Sequence, residues 1–287
     1  LGRQYNDDVG TFYGWLAEIH KLAQMIMSLS IIGSGNVAWH LAHRLFLAGF
    51  HIDQIYGRNA NDKSYFADIP NTQFISDIKE LNDCEPLYIL CIDDDEIPNI
   101  ISQWPFELDD SQIIAHTSGT TPAQILSPLS PRFGCIWPVQ SLNRGKKLVT
   151  NQLPLIVSAS DDQTAYTLLT IANRISDTVT LLDDTQKKQL HLAAVLTNNF
   201  SNHLFTLAAE YCDKNSLDFD LLKPIIKESI MKLDHAEPVN LQTGPACRND
   251  KLTIENQLVL LENEPELYKI YCMMTDSILK RYAKHNK

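Results

Sequence analysis

The sequence predicts an α/β doubly wound domain followed by an all-α domain, and three observations carry that prediction. An apolar strand enters Gly33-Ser34-Gly35-Asn36-Val37-Ala38 and continues without a break into a helical repeat. Further apolar segments then alternate with helical or loop segments as far as residue 183. Beyond that point glycine nearly vanishes and helical spacing takes over. The expected domains are therefore 27–183 and 184–287.

The first element explains the glycines. Leu29, Ile31 and Ile32 end a short strand, and Val37, Leu41 and Leu45 repeat at helical spacing after it, with Ala38 and Ala42 as a close-packing face until Gly49 ends the helix. In a strand, glycine turn and helix, Gly33 permits the turn and Gly35 lets a pyrophosphate approach the backbone. The free N–H groups at the helix start bind its oxygens. Gly33, Ser34, Gly35, Asn36 and Val37 are thus candidate cofactor contacts; the plain alternative is an ordinary tight turn.

The second strand, "HIDQIYGRN", ends in Arg58 and Asn59. NAD-binding chains usually carry an acidic residue about 20 residues past the glycines. A guanidinium there instead suits a 2′-phosphate, so Arg58 and Asn59 point to NADP(H). Strands near 73–75, 87–92 and 112–115 continue a sheet expected to be parallel, with ligands at its carboxyl edge. Two of those strand ends carry polar groups: Ile92 to Glu96, and His116-Thr117-Ser118-Gly119. Helix capping is the plainer reading of Asp93 to Asp95, while Ile92, Asp94 and Ser118 are candidate cofactor contacts and His116 a candidate acid.

"LPLIVSAS" and "VTLLDD" are read as further strands, after which Asp183 or Asp184 can cap a helix running to about Lys214. Helices near 218–233, 250–262 and 264–284 follow. On a uniform wheel the long helix is apolar on most sides and is expected to be buried nearly all round, apart from a polar wedge of His191, Asn198 and Asn202, with Asn199 and His203 farther round. Arg248, after the turn Thr243-Gly244-Pro245, can pair with Asp250 or hold a carboxylate or phosphate.

Composition bounds the partners. With 287 residues, 44% of them hydrophobic, the chain can fill one large core or two smaller ones. A net charge of -11 argues against nucleic acid and anionic membrane surfaces. No apolar run approaches the roughly 18 residues of a membrane span and no secretory signal is evident, so a soluble, cytoplasmic chain is expected. The six cysteines form no C-x-x-C pair, and no metal site is suggested. Residues 1–26 read as an extension of doubtful relevance, although Phe12, Leu16, Ile19 and Leu22 could form a short amphipathic helix.

The segments "IIGSGNVAWHLA", "CIDDDEI", "HTSG", "FGCIWPVQSL", "LHLAAVLTNNFSNHL" and "QTGPACRND" together resemble the two-domain family that joins a Rossmann-like domain to a helical domain of unknown function. That family is related to pyrroline-5-carboxylate reductase, deazaflavin-dependent NADP reductase and the 6-phosphogluconate dehydrogenase-like enzymes. The resemblance implies a nicotinamide-dependent oxidoreductase with a 6-phosphogluconate dehydrogenase C-terminal-like domain that mediates homodimerisation and lines the substrate site. By position it implies phosphate binding at Gly33, Gly35 and Ala38, with His116, Ser118, His191, Asn199, Thr243, Gly244 and Arg248 facing the cleft. Two departures stand out: Trp137 precedes Pro138 where many relatives carry histidine, and the family match favours Asn199 where the wheel favours Asn198.

The expected chemistry is hydride transfer between NADP(H) and a small carbonyl or imine compound. His191 is the expected acid, with His116 behind it; Asn199 orients the substrate, and Asn198, Thr243, Gly244 and Arg248 help bind it. The alternative is a non-catalytic NADP-binding sensor or assembly protein on the same fold.

Overall fold

The computed structural model describes residues 27–146 and 152–282. The expected helix within 1–26 and the last residues of the 264–284 helix lie outside the described residues. Backbone contacts divide the chain into two units, Leu1–Val195 and Leu196–Lys287, one helix later than the boundary expected at 183.

Among the described residues, the first unit has eight strands: β1 (Ser28–Ile32), β2 (His51–Tyr56), β3 (Gln73–Ile75), β4 (Leu87–Leu90), β5 (Ile113–His116), β6 (Phe133–Pro138), β7 (Leu155–Ala159) and β8 (Val179–Leu181). Their order is β3-β2-β1-β4-β5-β6-β7-β8. Helices α1 (Asn36–Leu47), α2 (Ile97–Ser102), α3 (Asp162–Asn173) and α4 (Asp184–Ala194) complete it. Ala38, Leu41, Ala42 and Leu45 of α1 are all buried, and full burial of each leucine stabilises the fold by about 2 kcal/mol. They join Leu29, Ile31, Ile52 and Ile89 in one core; a second, on the other face, gathers Ile32, Tyr88, Leu90, Ile114 and Trp137.

The strands expected to run parallel, β1 to β5, do so, and the departure comes farther along the chain. β6 pairs with β7 in antiparallel fashion, Cys135 opposite Ser158 and Trp137 opposite Ile156, and β8 runs parallel to β7. The chain therefore leaves β8 near the amino end of β6, and α4 climbs back along the sheet. Asp183 starts that helix with a capping box: its side chain accepts from Gln186 N, and Gln186 returns a bond to the Asp183 backbone, an arrangement typically worth about 1 kcal/mol. This climb brings His191 beside Trp137 at the carboxyl end of β6.

The second unit is all helical: α5 (Phe200–Lys214), α6 (Lys223–Met231), α7 (Lys251–Leu260) and α8 (Pro265–Tyr282), with four-residue turns at Pro238–Leu241 and Pro245–Arg248. Tyr271 Oη of α8 donates to Gln257 Oε1 of α7 at 2.6 Å. Between α4 and α5 the helix continues as a π turn over Val195–Asn199. A π turn advances by roughly 80° per residue in place of roughly 100°, which delays everything after it by about a quarter turn. A uniform wheel, which assumes one angle per residue, therefore does not hold through Val195–Asn199. Within one chain this helix is not covered on every side: Leu196 is 53% exposed and Phe200 56%. No helix among the described residues is long and apolar enough to cross a membrane.

Candidate nucleotide cradle and active-site corner

The glycine turn after β1 is shaped for close approach. Gly33 has φ +129°, and a Cβ there would lie 2.1 Å from the Cys91 carbonyl oxygen, so neither backbone nor space admits a side chain. Gly35 precedes α1 and no side chain caps the helix there; a Cβ on Gly35 would meet nothing within 4 Å. A bare helix N-terminus beside open space is an anion site by its dipole and its free N–H groups. The residues present fit the pyrophosphate of a dinucleotide.

These glycines line a cavity of about 280 Å³ together with Ser34, Arg58, Asn59, Asp62 and Ile92. Arg58 is exposed and pairs with Glu96 at 3.3 Å. Asn59 accepts from Asn61 N and so caps the helical turn Ala60–Phe66, which carries Asp62 back to the cradle. There Ser34 Oγ donates to Asp62 Oδ2 at 2.7 Å, and Arg144 pairs with Asp62 Oδ1 at 3.2 Å. Asn36 is tied in as well, its Oδ1 accepting from Arg144 N at 2.9 Å.

Farther along the carboxyl edge, Ser118 Oγ donates to Asp94 Oδ2 at 2.6 Å and accepts from Thr120 N and Thr121 N. Burial would raise the Asp94 carboxyl, but the Ser118 and Thr120 hydroxyls outweigh it and hold that group below its ordinary range. Asp93 makes no capping bond. Asp94 lies in the first helical turn, as the capping reading expects, but its side chain accepts from Ser118 and Thr120 and not from a helix N–H.

His116 is wholly buried, and its Nδ1 accepts from Ser118 N at 3.1 Å. Burial, and after it the Lys187 ammonium, push the imidazole down to about 4. The ring is enclosed, and its Nε2 is a buried atom with no hydrogen-bond partner among the described residues. Lys187 is itself 0% exposed; its Nζ donates to Thr121 O at 2.7 Å and to Asp184 Oδ1 at 2.9 Å.

His191 is half-buried, with its ring 5.5 Å from that of Trp137. Gly119 makes their meeting possible, since a Cβ there would come within 2.6 Å of both rings. In the second unit Asn198 and Asn199 are exposed within the π turn, and Thr243 and Arg248 are exposed around Gly244, which has φ +101°. Asp250 caps α7 by accepting from Thr253 N at 3.1 Å.

A Rossmann-like domain model matches residues 17–140 and the model of a domain of unknown function, DUF2520, matches 153–278. Among solved structures, the "putative NADP oxidoreductase BF3122" of Bacteroides fragilis is 32% identical over 88% of this chain and 98% of its own, with a TM-score of 0.80. The chain belongs to the Rossmann-like/DUF2520 family. Two remoter structures share the fold: protein TM1727 of Thermotoga maritima, at 19% identity over 90% and 100% of the two chains with a TM-score of 0.71, and a reductive aminase of Aspergillus terreus bound to cyclohexanone and allyl amine. The aminase is 15% identical over 90% and 96%, with a TM-score of 0.65. No curated protein matches the sequence.

In this DUF2520-family chain, then, the structure gathers Gly33, Ser34, Gly35, Arg58, Asn59 and Ile92 around one cavity. It sets His191 against Trp137 and leaves Asp94 and Ser118 bound to each other. Asp62, Arg144 and Lys187 were not singled out from the sequence. Asp62 and Arg144 reach the cradle only through tertiary contacts, and Lys187 sits in the polar run "DTQKKQ", which reads as solvent-facing.

Proposed function

We propose that this DUF2520-family protein is an NADP(H)-dependent oxidoreductase acting on a small carbonyl or imine compound. The single observation that carries the reading is the uncapped glycine turn, in which Gly33 admits no Cβ and Gly35 faces open space beside Arg58. The similarity to the Bacteroides fragilis relative supports it. When bound, the nicotinamide supplies or accepts hydride. The chain's own part is to grip the nucleotide and to move a proton. Gly33, Gly35 and the start of α1 bind the pyrophosphate, and Arg58 exchanges Glu96 for the 2′-phosphate. His191, half-buried against Trp137, gives or takes the proton at the reacting oxygen or nitrogen. Asn199 orients that atom, and Asn198, Thr243, Gly244 and Arg248 belong to the same proposal as substrate contacts. A homodimer formed through the helical unit completes it.

The test is a screen of NADPH oxidation against 2-oxo acids, imines and aldehydes, run beside calorimetry with NADPH and NADH. Turnover of one class, with tighter binding of NADPH that Arg58→Ala largely removes, is expected. Tight binding without any turnover identifies a sensor on the same fold, and failure to bind either nucleotide overturns the reading.

A further inference from the structure

Arg58 shares its cavity with a carboxylate, that of Asp62. Asp62 lines the same cavity as Arg58 and Asn59, while its partner Arg144 does not. Of the two, Asp62 is thus the member of the ion pair that lines the cavity. Arg144 is anchored from behind at four points: Nη1 donates to Ser34 O at 2.8 Å, the backbone N donates to Asn36 Oδ1 at 2.9 Å, the guanidinium lies 3.8 Å over the Tyr65 ring, and Asp62 takes its charge at 3.2 Å. Asp62 is correspondingly fixed, with one oxygen on Arg144 and the other on the Ser34 hydroxyl.

We propose that Asp62 is a nucleotide-selectivity residue of the cradle, a carboxylate set to accept a ribose hydroxyl and to oppose a phosphate on that ribose, so that NAD(H) shares the site with NADP(H). Each carboxylate oxygen keeps a lone pair beyond its present bond, which a ribose diol can use and a phosphate cannot. The two opposing charges differ in reach. The Arg58 side chain is 69% exposed, so solvent and salt weaken its pull. Asp62 is only 16% exposed, so its field is screened less. Preference for NADP(H) is then the narrow difference between an attraction at Arg58 and a repulsion at Asp62.

The proposal rests on the dinucleotide reading given above, and calorimetry separates the two. With purified full-length chain, Kd is measured for NADP+ and for NAD+. Asp62→Asn keeps the shape and an acceptor for Ser34 but removes the charge; it is expected to tighten NADP+ about tenfold while NAD+ changes less than about twofold. Arg144→Met leaves Asp62 unneutralised and is expected to weaken NADP+ several-fold more than NAD+, a second reading that does not depend on how the Asp62 variant folds. An unchanged NADP+/NAD+ ratio in either folded variant overturns the proposal and spares the dinucleotide site. An unaltered chain that binds neither nucleotide overturns both.

Discussion

Burial makes the His116 ring a source of pH-dependent stability. Its ring titrates near 4 in the folded chain and near 6.5 when unfolded. Between those values the unfolded chain holds a proton that the folded chain refuses, so stability rises with pH across the window and is lost as the pH falls through it. The full swing is about 3 kcal/mol. Urea midpoints of the unaltered chain and of His116→Asn, taken from pH 4.5 to 7, check this: the variant is expected to show the flatter profile. Equal slopes would mean that the ring is hydrated or paired in the folded state. The buried His40 has the same direction of shift but is present in both proteins, so the comparison isolates His116.

At the scale of single elements, the π turn over Val195–Asn199 removes the uniform wheel's ground for preferring Asn198 to Asn199. His191→Gln is expected to slow turnover about 100- to 10,000-fold, and Asn199→Ala somewhat less, with nucleotide affinity nearly intact. Asn198→Ala, which removes a proposed substrate contact, is expected to cost less in turnover than either. Rates paired with thermal melts read the outcome: a His191→Gln protein that melts many degrees lower yet keeps its rate per folded molecule would mark His191 as a packing partner of Trp137. Much at this scale was legible in advance. The glycine pair between a strand and a helical repeat located the cradle, and Asp183 or Asp184 read as the cap of α4, a place that Asp183 takes. What escaped has physical reasons. All six residues of β6 are buried, which leaves no alternation to read, and Gly134 within it looks like a breaker. A wheel assumes one angle per residue and cannot see a π turn. Asp62 was missed because it stands past the end of β2 and reaches the cradle only through the Ala60–Phe66 turn.

The whole chain carries an imbalance between its two units. In the first, apolar strands are enclosed on both faces; in the second, large apolar side chains such as Ile225, Leu260 and Met273 are 64%, 66% and 64% exposed. Apolar surface on that scale needs cover, and a second copy packed through the helical unit is the expected source. Sedimentation at micromolar concentration should give twice the 32.5 kDa of one chain, and a persistent monomer would contradict the assembly. The buried ammonium of Lys187 has a consequence of another kind. Amine-reactive reagents reach surface lysines at once, but this Nζ, held by Thr121 O and Asp184, becomes available only when the first half of α4 lifts from the sheet. Its slow acetylation, followed peptide by peptide in a mass spectrometer, is a built-in clock for the opening of that corner. The same helix carries His191, so the clock also times the excursions that dismantle the proposed active site.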